Sequence, residues 1–91
     1  MSRAEGRPAA SPGRFWDERF AAEEYRYGTR PNRFLVDQAW RLPPRARVLV
    51  VGDGEGRNGV WLARQGCRVM SVDASARGLQ KAAKLALDQG V

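Results

Sequence analysis

The hydrophobic and polar positions of this chain change period near its middle. In residues 15–24, Phe15, Trp16 and Phe20 group on one side by i, i+4 spacing, with Asp17, Glu18, Glu23 and Glu24 elsewhere. This predicts a first helix. Gly28 and Pro31 break it, and Tyr25 and Tyr27 sit in the break. Asn32 is placed to cap a second helix over Arg33–Arg41, in which Leu35 pairs with Ala39 and Val36 with Trp40. Pro43-Pro44 ends it. A residue before proline disfavours the helical region, so Leu42 is the exit.

From Val48 the pattern is different. Val48-Leu49-Val50-Val51 is a continuous, β-branched-rich run, as in a strand buried on both faces of a parallel sheet. Gly52-Asp53-Gly54-Glu55-Gly56 reads as a loop. Asn58–Gln65 follows as a helix, with Val60, Leu62 and Ala63 inward and Gly66 as its stop. Arg68–Val72 is a second strand. Ser75 caps a last helix reaching Gln89, with Leu79, Ala82, Ala83, Ala86 and Leu87 as its apolar stripe and Gly90 as its end. Val91 reads as the first residue of another strand. Trp16, Trp40 and Trp61 have apolar neighbours at helical spacing and are expected in the core.

The predicted order is helix, helix, then β-α-β-α. Two parallel strands joined by a crossover helix open a doubly wound, Rossmann-like α/β fold. Residues 1–14 mix Gly, Pro, Ser and Arg and read as a disordered lead-in, leaving 15–91 as a partial domain. A complete fold of this kind needs several more β-α-β units of about 30 residues each. The 91 residues are therefore expected to be its N-terminal part. A two-stranded sheet has both edges unpaired, and these helices cannot cover both of its faces.

Composition narrows the chemistry. Hydrophobic content of 43% and three Trp indicate a folded chain. One cysteine, Cys67, excludes an internal disulfide, and it has no base beside it to activate it. With no histidine, the common zinc sites and His-based triads are excluded too. A reducing, cytoplasmic setting fits best. The net charge is +6, and fourteen of the sixteen basic residues are Arg, yet no two are adjacent. That describes a generally basic surface more than a nucleic-acid footprint. No apolar run approaches the ~18–20 residues of a membrane span, and the N-terminus lacks the apolar core of a signal peptide.

A strand entering a helix through glycines turns backbone N–H groups and a helix N-terminus toward a ligand. Asp73 ends the neighbouring strand about 20 residues after Gly52, where a carboxylate accepts both hydroxyls of a ribose. A P-loop needs Gly-Lys-Ser/Thr, but Gly59 is followed by Val60. A calcium loop from Asp53 would need glycine at Asn58 and glutamate at Arg64. The dinucleotide fingerprint needs a glycine where Arg57 stands. The G-x-G-x-G spacing suits a nucleoside cofactor without phosphates.

VLVVGDGEGRNGVWLARQGCRVMSVDAS resembles motif I and the following acidic strand end of class I S-adenosylmethionine-dependent methyltransferases. The GEGRN-x-x-W-L-A string is closest to their small-molecule branch, which includes tellurite-resistance TehB-like proteins. FWDERFAAEEYRYGTRPNRFL is similar to the lead-in helix and YG-x-x-PN-x-F segment of that branch. The resemblance covers roughly residues 15 to 91 and joins two separated motifs. It implies S-adenosyl-L-methionine as cofactor and a small molecule as methyl acceptor. By it, Gly52, Asp53, Gly54 and Gly56 would line the cofactor, Asp73 would bind its ribose, and Ala74 would lie beside the adenosine. Tyr27, Gly28 and Asn32 would fold near the cofactor and close the site. One position departs from the pattern. Where such proteins usually carry an acid two residues before the first glycine, this chain has Val50.

These residues form half a cofactor cradle, so the isolated chain is expected to bind the cofactor weakly and to transfer no methyl group. Two other readings remain open at this point. One is a non-catalytic interaction module whose open sheet edge pairs with a complementing chain or a second copy. The other is a basic nucleic-acid-binding fragment.

Overall fold

A computed structural model describes residues 11–91. Residues 1–10 of the expected lead-in lie outside the described residues. Ser11 to Arg14 form a helix start: Ser11 is the N-cap, its hydroxyl accepting from the Arg14 N–H at 3.4 Å, and Pro12 opens α1 (Pro12–Arg19). Proline suits that position because its missing N–H has no helical partner there. The helix therefore starts earlier than its apolar pattern and stops earlier than predicted. Its stop at Phe20 has a physical cause. The carbonyls of Phe20, Ala22 and Glu24 all turn to the ammonium of Lys81 instead of continuing the helical ladder.

Asn32 caps α2 (Arg33–Gln38), its side-chain oxygen accepting from Phe34 and Leu35. A 3₁₀ turn, Ala39–Arg41, completes the predicted span, and Leu42 leaves in extended backbone. Residues 43–46 then make a turn closed by the Ala46 N–H on the Pro43 carbonyl, with Arg45 at φ 56°.

Strand β1 (Arg47–Val51) pairs in parallel with β2 (Arg68–Val72), Arg47 opposite Arg68 and Val51 opposite Val72. Helix α3 (Arg57–Arg64) is the crossover. It ends at Gly66 (φ 98°), where Cys67 N–H returns to Leu62 and Gly66 N–H to Ala63. That is the Schellman arrangement, which needs a left-handed residue. Helix α4 (Ala76–Asp88) stops the same way at Gly90, with Val91 N–H on Ala86. Val91 thus takes part in this helix stop.

Helix α3 packs on one face of the sheet, α4 packs on α3, and α1 on α4. Along each strand, half-buried residues alternate with exposed ones. Val48, Val50, Val69 and Ser71 face the helices, while Leu49, Val51, Met70 and Val72 are exposed. The buried apolar core is Phe20, Val60, Leu62, Ala82 and Leu85. Burying a side chain such as Phe20 contributes about 1.5–3 kcal/mol.

Core expectations are corrected at Trp16, Trp40, Trp61, Ala83 and Leu87, of which Ala83 is exposed. Trp40 is 74% exposed, because neither α2 nor the 3₁₀ turn buries a face, Val36 being exposed too. Trp16 and Trp61 are half-buried. The buried face of α4 is Gly78, Lys81, Ala82 and Leu85, so Leu87 lies outside it and is 78% exposed. The face is rotated because α4 packs on the glycine loop and on Phe20. A Cβ at Gly78 would meet the Phe20 ring at 3.0 Å and the Gly54 carbonyl at 3.1 Å.

Candidate functional site

The loop between β1 and α3 carries three left-handed glycines, with φ of 70° at Gly52, 58° at Gly54 and 91° at Gly56. L-residues rarely adopt this region, so the alternating glycines follow from the backbone path. The loop is held from below. Gly52 N–H donates to the Val72 carbonyl at 2.8 Å, and Gly54 N–H donates to Asp73 Oδ2 at 2.8 Å. Asp73 Oδ1 accepts from Ser75 N–H, also at 2.8 Å. Each carboxylate oxygen thus takes one N–H and keeps a second acceptor position.

Above the loop lies a cleft of about 330 Å³, at the lower end of the range for ligand pockets. Gly52, Gly54 and Asp73 line it from the sheet side, Arg57 and Asn58 from the start of α3, and Trp16, Phe20, Tyr27 and Gly28 from the lead-in. Among the described residues, the amides of Arg57 and Asn58 find no protein acceptor. Open donors at a helix start favour an anionic or electron-rich group. A Cβ at Gly52 would meet nothing within 4 Å, so the backbone there is open to a ligand.

Six of the expected site residues come together at this cleft: Tyr27, Gly28, Gly52, Asp53, Gly54 and Asp73. Asp53 borders it, but the residue is 7% exposed and its carboxylate is turned into the protein. It accepts from Gly59 N–H at 3.2 Å and from the Ser71 hydroxyl at 2.7 Å, which ties α3 to β2. Gly56 is placed elsewhere: a Cβ there would lie 2.6 Å from that of Ala82, so this glycine lets α3 and α4 touch. Ala74 is exposed outside the cleft, its carbonyl against Gly13. Asn32 spends its side chain capping α2 and donates its N–H to Asn58 Oδ1 at 2.7 Å.

Four residues that the sequence did not single out organise the site. Glu55 and Lys81 are 4% exposed each and form an ion pair at 2.5 Å. Glu55 Oε1 also accepts the Arg26 N–H at 2.8 Å. Asp17 on α1 accepts the Ser75 hydroxyl at 2.6 Å and the Arg77 N–H at 3.0 Å. These hydrogen bonds, the Ser75 hydroxyl first, hold the Asp17 carboxyl below its ordinary value. Arg57 donates to the Arg30 carbonyl at 3.3 Å while bordering the cleft. One local signal pointed to Lys81: it stands one turn after Gly78 and one turn before Leu85 on the face of α4 that packs inward.

No helix among the described residues is long and apolar enough to cross a membrane. No curated protein matches the chain. The family model of thiopurine S-methyltransferase (TPMT) matches residues 12–89, from the first residue of α1 to just past the end of α4. With the glycine loop, the strand-end carboxylate and the parallel β-α-β unit in place, the chain belongs to the thiopurine S-methyltransferase family of S-adenosylmethionine-dependent methyltransferases.

Proposed function

We propose that these residues form the cofactor-binding part of a methyltransferase that moves the methyl group of S-adenosyl-L-methionine to a small molecule. The observation that carries this is the pairing of Asp73 with Gly54 on the sheet side of the cleft. The carboxylate is fixed by two amides and still has one acceptor position per oxygen, which matches the two hydroxyls of a ribose. Trp16 and Tyr27 give the cleft aromatic surface for the rest of a nucleoside. Arg57 and the open amides of α3 suit the carboxylate of the cofactor's methionine end, where Val50 replaces an acid. The Tyr27-Gly28 and Pro31-Asn32 pattern supports placement near the TehB-like small-molecule branch. Cys67, unpaired, fits a reducing compartment.

The test compares adenosine with its 2′,3′-dideoxy analogue, titrated into the 91-residue chain and followed by amide NMR. Shifts are expected at Gly52–Asn58, Tyr27, Gly28 and Asp73. Loss of two hydrogen bonds to a charged acceptor is expected to weaken binding at least about tenfold. In Asp73→Asn the two nucleosides should bind alike. Equal binding of both by the wild-type chain, or shifts away from the cleft, would remove the reading. S-adenosylhomocysteine is expected to bind more weakly than micromolar.

A further inference from the structure

The segment from Phe20 to Asn32 borders the cleft through Phe20, Tyr27 and Gly28. It has no helix or strand of its own. What fastens it is unusual for a surface segment, because the fastening point is a buried charge. The ammonium of Lys81 spends its three N–H donors on the carbonyls of Ala22 and Glu24, at 2.6 Å each, and on Glu55, with the Phe20 carbonyl a longer contact at 3.3 Å. Tyr25 returns its hydroxyl to the Lys81 carbonyl at 3.2 Å, and its ring lies over the ammonium. The other oxygen of Glu55 holds Arg26 N–H, immediately before Tyr27.

Glu55 is itself the residue between Gly54 and Gly56. Its side chain reaches Lys81 and Arg26 only while the loop follows its left-handed path. The conformation that offers the loop to a ligand is the same one that offers a carboxylate to the strap.

We propose that Lys81 and Glu55 are positioning residues that latch the 20–32 strap to the glycine loop, and so set cofactor affinity although Lys81 lies outside the cleft. This rests on the cofactor reading above. A strap that is fastened for only a fraction of the time lowers apparent affinity by that fraction. Its energetic logic is that of any buried ion pair. Removing one partner strands the other, so the latch opens outright instead of weakening slightly.

The experiment uses the whole chain as wild type, Lys81→Met and Glu55→Gln. Hydrogen exchange is read amide by amide, and S-adenosylhomocysteine is titrated in parallel. In Lys81→Met the amides of residues 20–32 are expected to exchange at least about tenfold faster, while those of β1 and α3 keep their wild-type rates. Affinity is expected to fall about tenfold. Glu55→Gln keeps the size and an acceptor oxygen, so it should fold even if Lys81→Met does not, and it should show the same strap-confined pattern. Acceleration spread evenly over strap, sheet and helices would overturn the proposal, since both residues would then be general structural supports. Faster strap exchange with unchanged affinity would overturn it as well. A wild-type chain that binds no ligand would instead count against the cofactor reading, and the exchange pattern would still decide whether the latch exists.

Discussion

The glycine loop allows a sharp prediction, because its three glycines share a conformation and differ in surroundings. Gly52→Ala places a methyl group in open space, so its cost is the left-handed backbone alone. That is about 1–2 kcal/mol. Gly56→Ala pays the same backbone cost and also drives its Cβ to 2.6 Å from the Ala82 methyl group and 2.9 Å from the Ala82 backbone carbon that bears it. Helix α4 must then move off α3, and forcing a methyl group into packed space adds about 1–3 kcal/mol. The sum, about 2–5 kcal/mol, is a large part of the stability of a small domain. Urea unfolding followed by tryptophan fluorescence and circular dichroism gives both values. Ala82→Gly removes the nearer clash and leaves the one with the backbone, so in the double variant it should recover part of the Gly56→Ala loss, with a coupling of about 0.5–3 kcal/mol. Ligand binding should rank the two sites in the opposite order, with Gly52→Ala impaired because its methyl group enters the cleft. If Gly56→Ala costs no more than Gly52→Ala, or if Ala82→Gly recovers nothing, the assignment of Gly56 to helix packing is wrong.

Two further predictions concern the joint between α1 and α4. Ser75 is fully buried, caps α4 through Gly78 N–H at 2.9 Å and donates to Asp17. Ser75→Ala should cost about 1–2 kcal/mol in urea unfolding, clearly more than Ser11→Ala, whose cap bond is exposed and 3.4 Å long; equal losses would contradict this. Asp17 has a lowered folded-state pKa, so its contribution is complete above the ordinary carboxylate value and is lost as pH falls through the lowered one. The stability gap between wild type and Asp17→Asn should therefore be widest near about pH 6 and close in acid, and a gap that stays constant down to about pH 2 would refute the assignment.

What the sequence displayed openly was local. Asn32 and Ser75 cap helices through neighbours two or three residues away, and Gly66 and Gly90 stop helices within one turn. The strand–loop–helix–strand order follows from periodicity in the same way. The candidate site was legible where backbone conformation defines it, at Gly52, Gly54 and Asp73. It was not legible where distant segments meet. Lys81 is 57 residues from Glu24 and 26 from Glu55, and Asp17 is 58 from Ser75. A lysine at that point in the sequence reads as solvated surface until the strap is folded over it. Asp53 shows the converse. Its place in the glycine loop suggested a ligand, but the nearby Gly59 amide and Ser71 hydroxyl draw its carboxylate inward.

The exposed face of the sheet bears on colloidal behaviour. Leu49 and Met70, and Val51 and Val72, form two apolar cross-strand pairs, a surface that invites stacking between copies. Arg47 and Arg68 stand directly opposite each other at the end of the same face. Like charges side by side are unfavourable within one molecule, and stacking a second molecule in register would crowd four guanidinium groups together. Such a pair would oppose self-stacking by repulsion across water. Such repulsion shrinks with the Debye length, from about 30 Å at 0.01 M salt to about 8 Å at 0.15 M. Solutions of this chain should therefore stay dispersed in dilute buffer and turn cloudy as salt is added.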